Sequence, residues 1–205
     1  MNEWINEDFY NPSGPCFLRL KINEDIRLKL LDSIKDHLAT EWEDLPIIDV
    51  GPYDIQKNSV VDGKMGRISE EWQEKHSGNI IKNTIQSVLC RYGELYYNMP
   101  CISSIADVWY VVMKSGDFHA LHSHHGLELS GAIYLEVPDN LPYPQGNMNW
   151  VMGEVQHPLY NNIYEHSPQP GDVFIWPGWL MHTVYPFRSK QERLMISFNG
   201  TAIRK

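Results

Sequence analysis

Apolar residues stand four apart at Ile26, Leu30, Ile34 and Leu38 in NEDIRLKLLDSIKDHL, residues 23–38, and this spacing predicts an amphipathic helix. Asn23 is placed to cap it, and Glu24 and Asp25 sit in the first turn, where the helix dipole favours negative charge. A second helix is expected from about Asn79 to just before Pro100, because Ile81, Ile85, Val88, Leu89, Tyr92 and Leu95 recur at steps of three and four. Between the two, 46–70 contains GPYD and DGKMG and reads as loops with at most one short strand. From about residue 105 the pattern changes to short runs rich in Val, Ile, Tyr, Phe and Trp separated by Gly, Pro, Asn and Asp: ADVWYVVMKSGD, LSGAIYLEVPDN, NMNWVMGEVQ, GDVFIWPGW and RLMISFNGTAI. That is the grammar of strands, with no helical pattern between them, and it predicts an antiparallel sandwich or barrel flanked by the two N-terminal helices. The stretch 138–170, with its prolines and asparagines, is expected to supply a long loop bordering any site in the barrel.

At 205 residues and 42% hydrophobic, the chain is expected to form a single domain, 1–104 as helix-rich support and 105–205 as the β core. The net charge of −9 argues against nucleic acid or an anionic membrane as partner, since both need a basic footprint. A small molecule or a protein fits better. With no long apolar run and a polar, acidic start, MNEWINEDFYNP, the protein is expected to be cytoplasmic. Cys16, Cys90 and Cys101 are odd in number and form no C-x-x-C pair, so they are read as reduced structural thiols.

The chemistry concentrates in HALHSHHGLEL, residues 119–129, which holds His119, His122, His124 and His125 out of nine histidines in the chain. On an extended strand, His122 and His124 would point to one face, so two imidazoles could grip one cation. Polar surface is the plain alternative. His182 lies in WPGWLMHTVYP among Trp176, Trp179, Leu180, Val184 and Tyr185, where a charged imidazole would be costly to bury and a neutral one on a metal would not. A satisfied core histidine is the alternative there. Eleven residues on, alternation along RLMISFNG puts Arg193, Met195, Ser197 and Asn199 on one face and Leu194, Ile196 and Phe198 on the other. A guanidinium on the inner face of a barrel suits a bidentate hold on a carboxylate, whereas the wet side of an edge strand would explain the same polarity.

The segments HSHHGLELSGAIYLEVP, PGDVFIWPGWLMHTVYP and ERLMISFNG together resemble the Fe(II)- and 2-oxoglutarate-dependent oxygenases. The likeness covers roughly 105–200 and rests on H-x-H, Ser-Gly, Tyr-Leu, a distal Pro-x-x-Leu-x-His and an arginine leading to Phe-Asn. The resemblance implies a double-stranded β-helix, a jelly-roll or cupin-like barrel, with Fe(II), 2-oxoglutarate and O2 as cofactor and cosubstrates. It implies that His122 and His182 hold iron and that Arg193 binds the far carboxylate of 2-oxoglutarate, with Ser197 donating a hydrogen bond to it. Ser130 and Tyr134 are further candidates for polar contacts inside the barrel. His124 stands where most such enzymes carry aspartate, so either it completes an implied metal set of His122, His124 and His182, or iron is held by two histidines and water; His119 and His125 are left as supporting or surface residues. The implied reaction is hydroxylation of an unidentified substrate, a peptidyl side chain among the candidates, with release of succinate and CO2.

Residues 116–128 also fit the first cupin motif, in which Glu128 would replace His124 as ligand. That alternative is a metalloenzyme, dioxygenase or isomerase, that does not use 2-oxoglutarate. A jelly roll that binds a ligand without catalysis is the other. Trp150, Trp176 and Trp179 are expected in the core and rim of the barrel in any of these.

Overall fold

A computed structural model describes residues 4–10, 15–40, 60, 62–76, 79–124, 126, 128–152 and 162–205. Two sheets form the frame, and every strand pair in them is antiparallel. The seven-stranded sheet runs β1-β2-β9-β6-β11-β4-β3, with β1 Trp4–Tyr10, β2 Phe17–Ile22, β3 Lys64–Arg67, β4 Cys101–Met113, β6 Leu129–Glu136, β9 Asp172–Pro177 and β11 Arg193–Arg204. The four-stranded sheet runs β5-β10-β7-β8, with β5 His119–His122, β7 Met148–Val151, β8 Ile163–His166 and β10 Met181–Val184. From β4 onward the chain passes back and forth between the sheets, which is the double-stranded β-helix expected from the sequence.

Alternation along the strands sorts two cores. Val108, Tyr110 and Val112 of β4, Ile133 and Leu135 of β6, Val173 and Ile175 of β9, and Leu194, Ile196 and Phe198 of β11 face outward into one apolar cluster. Helices α1 (Glu24–Ala39) and α3 (Ile80–Tyr97) close that cluster with Leu30, Ile34, Ile81, Ile85, Val88 and Leu89. The intervening residues, among them Trp109, Val111, Ala132, Tyr134, Phe174, Trp176 and Met195, face the four-stranded sheet and make the barrel interior with Met148, Trp150 and Val184. Because both faces are covered there, β11 is buried from Arg193 to Gly200, and its polar face is no wet edge.

Both predicted helices are present, and Asn23 caps α1 by accepting a hydrogen bond from the Ile26 amide at 2.8 Å. The one short strand allowed within 46–70 is β3; residues 46–59 and 61 lie outside the described residues. Three things differ from the expectation. The N-terminal half is not only helical support, because β2, with Leu18, Leu20 and Ile22 packed outward, pairs with β9 and extends the larger sheet. A short helix α2, Glu70–His76, follows β3 and buries Trp72 against His37. The stretch 138–170 is not one long loop: β7 forms within the run NMNWVMGEVQ expected as a strand and pairs with β8, Trp150 opposite Tyr164, while 153–161 lie outside the described residues. β8 was not anticipated, because its four residues show only two alternations. Among the described residues, no helix is long and apolar enough to cross a membrane. Cys16, Cys90 and Cys101 are free thiols.

Candidate metal centre

Register brings the distant histidines together. His182 of β10 is the cross-strand partner of His122 of β5, and their ring centroids lie 4.1 Å apart. His124 arrives by a different route from the one alternation suggests. β5 ends at His122, and the chain turns so that the His124 amide donates to the Gly178 carbonyl at 2.8 Å in the β9–β10 turn. The His124 ring then lies 5.2 Å from both His122 and His182, nearly parallel to the latter at 9°. One nitrogen from each of the three rings lies within 4.8 Å of the other two. Two nitrogens bound at about 2.1 Å on adjacent positions of one ion sit about 3 Å apart, so small ring rotations suffice to close the set.

The tautomers suit ligation. Nδ1 of His122 is 2.6 Å from the Ala120 carbonyl, and Nδ1 of His182 is 2.9 Å from the Leu180 carbonyl. A carbonyl only accepts, so Nδ1 carries the proton in both rings and Nε2 keeps its lone pair. Burial lowers the pKa of His122, and it lowers that of His182 well below the ordinary value with help from the neighbouring imidazoles. Both are neutral at neutral pH, as a metal requires. Trp176 packs on His182 at 4.9 Å and Trp109 stacks beside His124 at 5.9 Å, walling the group from bulk water. Trp150 lies in the barrel core as expected, whereas Trp179 is 59% exposed outside it.

The three rings line a cavity together with His119, Ser130, Tyr134, Met195 and Ser197. Arg193 lies at the start of β11, 0% exposed. Its Nη2 donates to the Gly146 carbonyl at 2.6 Å, its guanidinium carbon lies 5.7 Å from the Tyr134 ring and 5.3 Å from that of Phe187, and its Nε and Nη1 have no partner. The Tyr134 hydroxyl is likewise buried without a partner. Gly146 takes φ +71°, and a side chain there would collide with the guanidinium, so glycine is required for the carbonyl to reach it. Burial lowers the Arg193 pKa, the mark of a cation held without its counter-charge.

Of the other residues singled out from sequence, Ser197 lines the cavity, while the Ser130 hydroxyl donates to Asn199 Oδ1 at 2.8 Å. Glu128 is exposed and not part of the histidine group, which leaves the cupin ligand set without its carboxylate. Asp117 is buried but accepts from the Asp62 and Lys114 amides. His125 lies outside the described residues. His119, left by the sequence as a supporting or surface residue, is 5% exposed and lines the cavity. Strict alternation from His122 would turn it outward, but the β5–β10 register shifts between the His182 and Val184 pairings, and that bulge aims His119 inward.

The donor set fits a divalent metal: three imidazoles whose ligand nitrogens lie within 4.8 Å of one another, two of them with Nδ1 hydrogen-bonded to backbone carbonyls. It also leaves the charge of such an ion, and that of Arg193, without an acidic side chain among the described residues to offset them. A dianionic ligand spanning the two would supply the missing charge.

Comparison with known proteins agrees. Residues 107–199 match the family described as "Putative 2OG-Fe(II) oxygenase". No curated protein sequence matches the chain. Among solved structures, a prolyl hydroxylase from Trichoplax adhaerens, in complex with a hypoxia inducible factor oxygen degradation domain peptide fragment, shares the fold with a TM-score of 0.63 at 14% identity, covering 93% of this chain and 84% of that one. A Pseudomonas putida prolyl-4-hydroxylase does so with a TM-score of 0.60 at 13% identity, over 92% of each chain. The α-ketoglutarate-dependent epimerase SnoN from nogalamycin biosynthesis gives 0.62 at 12% identity, over 92% of this chain and 81% of that one. The β core of this chain, residues 107–199, thus matches the 2OG-Fe(II) oxygenase family, and the double-stranded β-helix is shared with these solved structures.

Proposed function

We propose that the protein is an Fe(II)- and 2-oxoglutarate-dependent dioxygenase that hydroxylates its substrate and releases succinate and CO2. The observation that carries this reading is a fully buried guanidinium with two unpartnered nitrogens, Nε and Nη1, in the same barrel as three convergent histidines. In this reading His122, His124 and His182 hold iron, and iron with 2-oxoglutarate and oxygen supplies the oxidising power. The chain's own part is to orient and to shield. The Ala120 and Leu180 carbonyls fix the ring planes of His122 and His182. Arg193 takes the far carboxylate through Nε and Nη1, Tyr134 adds its hydroxyl, and Ser197 offers a further donor from the cavity wall. Trp109 and Trp176 keep water from the metal side.

The substrate of this chain is proposed only as a class. The peptide bound by the Trichoplax relative makes a peptidyl side chain the first class to screen. Succinate formation from 2-oxoglutarate, measured with Fe(II) under air, tests the reading. Turnover that needs both the metal and Arg193 is expected, and oxygen consumption indifferent to 2-oxoglutarate and to Arg193→Ala would move the protein to the cupin-type alternative.

A further inference from the structure

His119 is buried, and its Nε2 has no hydrogen-bond partner. A polar nitrogen sealed from water without a partner is costly, and the ring opens onto the cavity, so its partner should be sought there. The path along β10 says where. His182 pairs with His122 at the metal end, and Val184 pairs with His119 two residues further on, about 6.6 Å at the rise of an extended strand. Continuing in the same direction, Tyr185 bonds to Asn147 and Phe187 packs against the Arg193 guanidinium. His119 therefore stands between the histidine cluster and Arg193, displaced from the metal by about the length of a short dicarboxylate chain. Its backbone is held from behind, because Thr183 Oγ1 donates to the His119 carbonyl at 2.7 Å. A neutral imidazole carries one N–H to donate, whichever ring nitrogen holds it.

From this placement, and resting on the proposed 2-oxoglutarate reading, we infer that His119 is a cosubstrate-binding residue whose imidazole N–H donates to the distal carboxylate held by Arg193. The bulge in β5 then has a purpose: it lets two histidines three positions apart face the same cavity, one for the metal and one for the far end of the cosubstrate.

Calorimetric titration of 2-oxoglutarate and of pyruvate into Ni(II)-loaded protein tests this without turnover. Pyruvate carries the same keto-acid head but no distal carboxylate. His119→Ala is expected to keep its nickel, to bind pyruvate as the wild type does, and to weaken 2-oxoglutarate at least tenfold; His119→Gln, which restores an N–H donor, should recover part of that loss. Unchanged 2-oxoglutarate affinity in His119→Ala overturns the inference, as do equal losses for both ligands or loss of nickel, either of which makes the ring a support for the metal site. A wild type that binds nickel but not 2-oxoglutarate removes the proposed function itself, whereas a wild type that binds it equally to His119→Ala removes only the role of His119.

Discussion

Arg193→Met separates a binding arginine from a structural one, because the two predict opposite stabilities. The guanidinium makes one hydrogen bond, from Nη2 to the Gly146 carbonyl, and leaves Nε and Nη1 unpartnered at 0% exposure. Losing a hydrogen bond from a charged donor costs about 1.5–3 kcal/mol. Holding an unpaired ion away from water costs several kcal/mol even after relaxation, so removing the charge offsets that loss. Methionine, long and adaptable, refills much of the volume beside Tyr134 and Phe187. The ligand-free variant should therefore melt no more than a few degrees below the wild type, at about 2–4 °C per kcal/mol for a chain of this size. Binding responds differently: two charge-assisted bonds to a carboxylate, about 1.5–3 kcal/mol each, correspond to a loss of roughly 10²–10⁴ in 2-oxoglutarate affinity. Thermal denaturation followed by circular dichroism gives the first quantity, and titration of 2-oxoglutarate into metal-loaded protein gives the second. A fall in Tm beyond about 10 °C, or an affinity within threefold of the wild type, would refute the assignment of Arg193 as the carboxylate anchor.

Three further outcomes follow from other parts of the structure. His124→Ala should weaken metal binding by more than the 10–100-fold typical of a residue that only orients a ligand, whereas Glu128→Gln, changed at an exposed position, should leave it intact; equilibrium dialysis against Fe(II) under anaerobic conditions measures both. Asp172 is buried, and although burial raises its pKa, the hydrogen bond with His166, the Gln169 amide and the charges of Lys21 and Arg19 lower it further than burial lifts it. Its stabilisation is present above the unfolded carboxyl pKa near 4 and is lost as pH falls through the lower folded value. Asp172→Asn should cost about 1–3 kcal/mol at pH 7, since Arg19 and Lys21 are partly solvated, and should lessen the fall in stability below pH 4 in urea titrations run across pH. Gly131→Ala would push a methyl group into the Phe198 ring and to 2.8 Å from the Phe174 carbonyl, so urea denaturation should report a loss of about 1–3 kcal/mol.

The two long helices and most of the strands were legible in the chain because each rests on local periodicity. Four-residue spacing marked α1 and α3, and two-residue alternation along Arg193–Asn199 correctly separated the inner face from the outer. The histidine motif and the arginine marked residues that the structure gathers in one barrel, and the Ser-Gly pair found its reason in the lack of room beside Phe198. What sequence could not supply was pairing. The hydrogen bond from the His124 amide to Gly178 joins residues 54 positions apart, and it, not strand alternation, delivers the third imidazole. The bulge that turns His119 inward is a property of two strands in register, invisible in either alone. That Arg193 lacks a counter-charge, and that Glu128 faces solvent, are likewise facts about neighbours in space. Local spacing fixes which side of an element a residue occupies; only the closed barrel decides what it meets there.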